Sequence, residues 1–544
     1  MASSKEMTAA VDLSGHGRGT GPARTQRPIY LDMLPPCNNA CPAGEDIQGW
    51  LSLAQAGKYE AAWQKLIEEN PLPAIMGRVC YHPCENACNR AYIDSSVSIH
   101  AVERFLGDEA LKHGWKPKGA VAPSGRRVLV VGAGPSGLSA AWLLRRLGHE
   151  VEVREAGPVA GGMMHFGIPA YRMPRQELEA EAKRIEDAGV RFTFNHRVTD
   201  VLKEKAEGGF DAVFIAIGAH ISKKTDIPGQ AAANILDAVS FLKGVEQGEP
   251  PRLGRKVAIY GGGNTAMDAA RTAKRLGYEP FIIYRRDRAH MPAHAFEADE
   301  ALAEGVKINW LRTIKNIDQT TFTVEVMRVN EQGRPEPTGE FETLEADALV
   351  LALGQDADTG FLRAVPGIEF QGDEGTVRVD PATMMTGHPG IFAGGDMVPG
   401  DRTVTVAIGH GRKAARHIDA WLRGEVFRQP EKHPVVGHEK LHVWFRTEAP
   451  QSLQQDLPVE ARRDFSEVLH GLTEREARYE AQRCLSCGNC FECDGCYGSC
   501  PEDAVIKLGP GRRYRFDFER CTGCAVCYEQ CPCHAIELIP EPGA

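Results

Sequence analysis

Sixteen cysteines in a chain of 544 residues fall in two terminal groups, residues 37–88 and 484–533, with none between. The second group repeats one spacing: Cys490-x-x-Cys493-x-x-Cys496-x-x-x-Cys500-Pro501, then Cys521-x-x-Cys524-x-x-Cys527-x-x-x-Cys531-Pro532. Runs of this form hold two [4Fe-4S] clusters, each run lending its fourth cysteine to the other cluster. Paired structural zinc sites would need only CxxC pairs, leaving the third cysteine and the Cys-Pro unexplained. Such a chain carries electrons and must connect a donor to an acceptor. Thiols gathered this way, rather than scattered as disulfides, point to metal ligation in a reducing cytoplasm.

The cysteine-free middle carries a second chemistry. An apolar, β-branched run at 126–131 predicts a buried strand. It leads into Gly132-Ala-Gly134-Pro-Ser-Gly137, a helical stretch over 138–147 and a second strand that ends at Glu155. Glycines so spaced let backbone approach a pyrophosphate at a helix N-terminus, and the acid accepts from a ribose hydroxyl. The order recurs over 256–284 with Gly261-Gly-Gly263-Asn-Thr-Ala266 in the loop, but its second strand ends in Tyr284-Arg285-Arg286. Two guanidinium groups there favour a 2′-phosphate, hence NADP(H) over NAD(H), with solvent-facing arginines as the open alternative. A third element, Gly394-Gly395-Asp396 before a small-residue helix over 406–421, would set Asp396 on a flavin ribitol and aim the helix N-terminus at the isoalloxazine. The first loop therefore belongs to an FAD domain split around an inserted NAD(P) domain. The similar runs at 214–218 and 351–354 read as the strands that cross between the two. No CxxxxC dithiol follows Glu155, which excludes a disulfide reductase, so electrons leave the flavin another way.

Positioning these sites takes several domains, since 544 residues exceed one core. The expected fold is multidomain α/β. It has a mobile arm at 1–28, an α-helical iron–sulfur domain at 29–114, an FAD domain at 126–223 and 356–424, and an NAD(P) domain at 224–355. A proline-rich connector at 425–472 leads to an α+β two-cluster domain at 473–544. Residues 1–25 lack the apolar stretch of a signal peptide, and no apolar run is long enough to cross a bilayer. A net charge of −10 argues against nucleic acid as a general partner. Residues 47–69 read as helical, and Thr473 with Glu476 starts a helix over 473–483 with a capping box. Residues 507–518 read as a hairpin-like link between the cysteine runs. His410, His417 and His438 lack ligand spacing and read as surface or capping residues.

Upstream stand Cys37-x-x-x-Cys41-Pro42, then Asn70-Pro-Leu-Pro and Gly77-Arg-Val-Cys80-x-x-x-Cys84-x-x-x-Cys88. With Gly161-Gly162-Met-Met-His-Phe-Gly167, the stretch 261–271 and Gly394-Gly395-Asp396, they make the chain resemble the small subunit of glutamate synthase over about residues 30–425. Relatives of that subunit include the N-terminal half of dihydropyrimidine dehydrogenase and the large subunit of NADH-dependent ferredoxin:NADP oxidoreductase. The resemblance adds Gly162 to the flavin site, and Asn264 and Thr265 to the nicotinamide site. It also implies two [4Fe-4S] clusters in the helical domain, one held by Cys41, Cys80, Cys84 and Glu103. The other would take Cys37, Cys88 and an upstream CxxC, which this sequence lacks. Cys484-Leu-Ser-Cys487 looks like that pair moved to the far end of the chain; it either completes the cluster or stands beside the first ferredoxin run. Four clusters need sixteen ligands, which fifteen cysteines and Glu103 would supply, leaving Cys533 over.

The C-terminal domain resembles bacterial ferredoxin and the ferredoxin-like delta subunit of 2-oxoacid:acceptor oxidoreductases. Together the resemblances imply an electron-transfer flavoprotein subunit working between NAD(P)H and a partner. That partner would be a soluble ferredoxin, a thiamine-diphosphate 2-oxoacid oxidoreductase or a glutamate synthase large subunit. A non-catalytic iron–sulfur scaffold is the alternative, against which both intact dinucleotide loops speak.

Overall fold

The computed structural model describes residues 24–119, 121–223, 225–372, 375–444 and 446–542. Five parallel strands form the first sheet, in the order Ile391–Ala393, Ala212–Ile215, Arg127–Val131, Glu150–Arg154 and Arg191–Thr193. Val128 to Val130 and Ala212 to Ile215 are fully buried, as strands covered by helices on both faces must be. The helices Pro135–Arg146 and Val404–Arg423 pack together along this sheet. Thr403 caps the second by accepting from the Val406 amide.

A second parallel sheet is inserted in the chain between Ala212–Ile215 and Ile391–Ala393. Its order is Lys307–Trp310, Glu279–Tyr284, Lys256–Tyr260, Ala348–Leu351 and Ile235–Asp237. The nested arrangement is the expected one, with a correction to the crossing strands. The apolar runs near 214 and 351 are interior strands of the two sheets. The crossing is made just after them by Ile221–Ser222 paired antiparallel with Gln355–Asp356. Those strands are two residues long and only partly buried, lying outside both parallel sheets. An antiparallel meander, Arg312–Asp318, Thr321–Val329 and Pro335–Glu345, was not expected. Its last strand is almost wholly exposed, so it carries no alternating apolar signal.

The N-terminal domain is helical. The region 47–69 is two helices, Ile47–Gln55 and Tyr59–Leu66, broken at Gly57, whose φ of 72° ends the first turn cleanly. Glu474–Gln482 has the expected capping box but a different home. Leu472, Ala477 and Ala481 pack with Ile47, Trp50 and Leu51, so the segment assigned to the two-cluster domain begins inside the N-terminal one. Small residues at i and i+4 let the helix approach closely.

Residues 1–23 of the expected arm lie outside the described residues. Its last part is not an arm: Gln26–Tyr30 pairs antiparallel with Ile536–Pro540, adding an edge strand to the two-cluster domain. Tyr30 stacks on Phe516 at 4.8 Å, and Arg24 grips Glu541 through two bonds of 2.8 and 2.7 Å. The link expected at 507–518 is a hairpin of Val505–Lys507 and Tyr514–Phe516. The connector is laid across its neighbours, the Val468 amide donating to the Tyr171 carbonyl at 2.9 Å and Arg104 to the Leu469 carbonyl at 2.6 Å. Among the described residues no helix is long and apolar enough to cross a membrane.

Candidate cofactor and cluster sites

The glycines of the first loop do three different things. A Cβ on Gly132, φ 103°, would strike the Ala216 carbonyl oxygen, and one on Gly137 the Gly132 carbonyl oxygen. Gly134, between them, has nothing within 4 Å, leaving open the side on which a pyrophosphate would lie. Gly162, φ 54°, turns so that a Cβ would sit 3.0 Å from the Gly134 Cα. The buried Ser136 hydroxyl, on the first turn of Pro135–Arg146, finds no partner in the protein, which suits a cofactor that supplies one. Glu155 accepts from the Ala133 and Gly157 amides, both at 2.7 Å, and is thereby fixed at the strand end. Gly394 leaves room for Phe214, Ser136 and His410. His410, half-buried, accepts from the Gly395 amide at 3.2 Å and so holds the loop carrying Asp396. Burial pushes the Asp396 carboxyl up to about 6 against the charge of Arg402. These features fit FAD.

The second loop repeats the scheme. A Cβ on Gly261 would strike the Ala352 carbonyl oxygen, one on Gly262 would enter the Tyr284 ring, and Gly263 again faces nothing within 4 Å. Asn264 is held from two sides: its Nδ2 donates to the Tyr81 hydroxyl at 2.6 Å, and its Oδ1 accepts from the His294 amide at 3.1 Å. Thr265 follows, half-buried, on the first turn of Asn264–Arg275. At the end of Glu279–Tyr284, Arg285 is exposed and Arg286 donates to the Tyr284 hydroxyl at 3.0 Å. Tyr81, which also stacks on His294 at 3.6 Å, comes from the N-terminal domain. Nothing in the sequence pattern linked it to the nucleotide loop.

The cysteines converge in four groups. Cys37, Cys88, Cys484 and Cys487 line one cavity, with Leu51, Val97 and Ile99 around them. Cys500, Cys521, Cys524 and Cys527 line another, three from one run and the fourth of the other. The remaining Cys490, Cys493, Cys496 and Cys531 lie close together: burial first, then the other three, push Cys496 up to about 11, while the hydrogen bond with Cys533 pulls Cys531 down to about 7. The left-over Cys533 sits here too, its Sγ 3.8 Å from that of Cys531. The fourth group is Cys41, Cys80 and Cys84 with Glu103. Burial, then the Glu103 charge, push Cys80 up to about 12, and burial raises Glu103 well above the carboxylate range. None of the sixteen cysteines is joined in a disulfide. Thiols raised by burial and by neighbouring thiols, as at Cys37, Cys84, Cys496 and Cys527, fit a multivalent metal centre that displaces their protons.

One carboxylate at the fourth group was not anticipated. Asn70 Nδ2 donates both to Glu103 Oε1 at 2.7 Å and to Glu45 Oε1 at 2.9 Å, and Trp50 Nε1 reaches Glu45 Oε2 at 3.2 Å. Burial pushes Glu45 up to about 7. Beside Cys84, Glu85 lies 2.8 Å from His100 Nδ1 and 3.5 Å from His82 Nδ1. Burial opposes its ionisation, but the two rings hold its carboxyl below the ordinary value.

Two contacts explain how distant segments reach these groups. Glu480 is fully buried, accepts from the Ser98 amide at 2.9 Å and pairs with Arg483 at 2.8 Å; Arg483 in turn reaches Asp94 at 3.0 Å. That network fixes Cys484 opposite Cys88. The helix Val404–Arg423 is wedged between the flavin loop and the cysteine loops. A Cβ on Gly411 would strike the Ser136 carbonyl oxygen, one on Gly409 the Pro42 carbonyl oxygen, and Thr405 Oγ1 lies 3.1 Å from Cys80 Sγ.

A family profile described as pyridine nucleotide-disulphide oxidoreductase matches residues 126–411, more than half of the chain, and also 94–207. The chain belongs to that family. A profile for dihydropyrimidine dehydrogenase domain II, 4Fe-4S cluster, matches residues 26–115, and one for a 4Fe-4S binding domain matches 514–537. The chain is 37% identical over 527 residues to the beta subunit of NADP(+)-dependent formate dehydrogenase of Moorella thermoacetica, covering 87% of this chain and 74% of that one. It is 32% identical over 502 residues to the beta subunit of NADPH-Fe(3+) oxidoreductase of Geobacter sulfurreducens, covering 83% and 75%. It is 33% identical over 421 residues to the small chain of glutamate synthase [NADPH] of Azospirillum brasilense, covering 72% and 87%. These matches bear out the glutamate synthase resemblance, FAD and NAD(P) as cofactors, and 4Fe-4S domains at both ends. This family member is an iron–sulfur flavoprotein oxidoreductase. Its cysteines all lie outside 126–411, so the dithiol chemistry of the family's name has no residues here.

Proposed function

We propose that this chain is the electron-transfer subunit of a larger oxidoreductase, moving electrons between NADP(H) and a catalytic partner. FAD, when bound, exchanges two electrons with a nicotinamide and single electrons with iron–sulfur centres. Gly132, Gly134 and Gly137 would hold its pyrophosphate, Glu155 a ribose and Asp396 the ribitol. Gly261, Gly263, Asn264 and Thr265 would hold the nicotinamide dinucleotide. The wedged helix Val404–Arg423 carries the reading: it touches the flavin loop through Gly411 and the cysteine loops through Gly409 and Thr405. NADP(H) rather than NAD(H) is supported by Arg285 and Arg286 and by the NADP(H) in the names of the three relatives above. The reducing compartment favoured by sixteen cysteines without a disulfide among them is the cytoplasm.

For the partner, the ferredoxin end favours a thiamine-diphosphate 2-oxoacid oxidoreductase, and the Moorella relative's name a formate-oxidising subunit. Glutamate synthase delivery is the second reading, favoured by the small chain's 33% identity but reaching only 72% of this chain.

Anaerobic mixing with NADPH should bleach the flavin, NADH doing so more slowly; no reduction by either ends the reading. Native pull-down, with the complex assayed on 2-oxoacids and on formate, identifies the partner. Recovery of an amidotransferase subunit instead would favour glutamate synthase. Arg285→Ala with Arg286→Ala should raise KM for NADPH about tenfold to a hundredfold and leave NADH unaffected, the equivalent of about 1.5–3 kcal/mol for bonds to a charged phosphate. Equal effects on both nucleotides would return the arginines to a solvent-facing role.

A further inference from the structure

We propose that Thr405 sets the reduction potential of the centre held by Cys41, Cys80, Cys84 and Glu103, by donating a hydrogen bond to the Cys80 sulfur. This rests on the reading that Cys80 is a cluster ligand.

Thr405 is the second residue of Val404–Arg423. Inside a helix a threonine hydroxyl returns to the carbonyl four residues back. Here that carbonyl belongs to Asp401, before the helix, where it accepts from the Thr403 amide at 3.1 Å. Thr405 is 4% exposed, so its side chain is largely shut off from solvent. The acceptor it finds is Cys80 Sγ at 3.1 Å, across 325 residues of sequence. The same sulfur accepts from the His82 amide at 3.2 Å. Gly409, one turn on along the same face, meets the Pro42 carbonyl, so the whole face lies against the cysteine loops.

The direction of the effect follows from charge. Around Cys80 stand the carboxyl groups of Glu103 and Glu45, and the ligand sulfur becomes more negative when the centre takes up an electron. A hydroxyl donor on the ligand sulfur stabilises the more negative, reduced form and raises the potential. The step is the gain of one electron from the NADPH side, with no bond made or broken. Thr405 acts through Cys80 and is a positioning residue in that sense.

The test is an anaerobic redox titration followed by EPR on the full chain, as wild type, Thr405→Val, Thr405→Ser and Cys80→Ala. Thr405→Val should keep wild-type iron yet make one centre harder to reduce. The oxidised-to-reduced ratio at a fixed potential should shift about tenfold, the order expected of one hydrogen bond to a charged group and equal to about 59 mV for one electron. Thr405→Ser should restore it. In deuterated buffer, the deuteron coupling on that reduced centre should weaken in the valine variant and return in the serine one. Cys80→Ala with undiminished iron would defeat the ligand reading. Cys80→Ala that loses iron, beside a Thr405→Val protein with unchanged potential and coupling, would overturn this inference alone.

Discussion

Chain carrying Cys484→Ala and Cys487→Ala should be purified with about a quarter less iron and acid-labile sulfide than wild type, while Cys533→Ala should lose none. Four groups of cysteines converge in the fold, and one of them is Cys37, Cys88, Cys484 and Cys487 around a single cavity. Those four are drawn from opposite ends of the sequence, and no other thiol lines that cavity. Burial pushes Cys484 up to about 11 and Cys487 up to about 12, so as free thiols they are unreactive, and a metal centre is what would ionise them. The Asn89 amide group also points at the Cys487 sulfur at 3.4 Å. Because such a centre links the ends of the chain, its loss should also undock Glu474–Gln482 from the N-terminal core. Proteolysis should then open the connector first. Iron, sulfide and limited proteolysis together check the expectation. Full iron content in the double variant would leave these cysteines as bystanders of the ferredoxin run.

What could be read from the sequence was whatever depends on residues close together along the chain. The Cys-x-x-Cys-x-x-Cys spacing and the Gly-x-Gly-x-x-Gly loops constrain a few consecutive backbone turns, so their meaning survives without tertiary information. The two Rossmann-like units, their nesting and the capping box at Thr473 were visible for that reason. The crossing strands were misplaced because the apolar runs next to them gave the stronger signal; burial, not connectivity, sets apolarity. Gln26–Tyr30 was missed because five residues of an edge strand acquire their pattern from the partner strand Ile536–Pro540. Glu45 was missed because an acid becomes significant only when burial and Asn70 bring it to Glu103. Cys484 and Cys487 could be paired with Cys37 and Cys88 but not told from bystanders of the ferredoxin run, since what carries them to Cys88 is the buried Glu480–Arg483–Asp94 network.

Two glycines on one helix should separate binding of the flavin from delivery of its electrons. Both lie in Val404–Arg423, where replacing glycine by alanine would by propensity alone favour the helix by about 1 kcal/mol. At Gly411 the added methyl would meet the Ser136 carbonyl oxygen and come within 2.9 Å of the Ala140 amide nitrogen. Both belong to backbone at the start of the flavin-loop helix, which cannot yield without moving Gly134 and Gly137. Gly411→Ala should therefore emerge with substoichiometric FAD and a lowered Tm, the overpacking costing about 1–3 kcal/mol. At Gly409 the methyl would meet the Pro42 carbonyl oxygen, next to Cys41 and away from the flavin loop. Gly409→Ala should bind FAD normally and be bleached by NADPH at the wild-type rate. Reduction of the N-terminal centres should instead slow by about tenfold, the rate equivalent of the same strain imposed on the contact between helix and cysteine loop. Stopped-flow absorbance resolves the two phases, flavin bleaching and the broader loss of iron–sulfur colour. Equal slowing of both phases in Gly409→Ala would mean that the helix serves the flavin alone, and that electrons reach the cysteine loops by a route that does not use this contact.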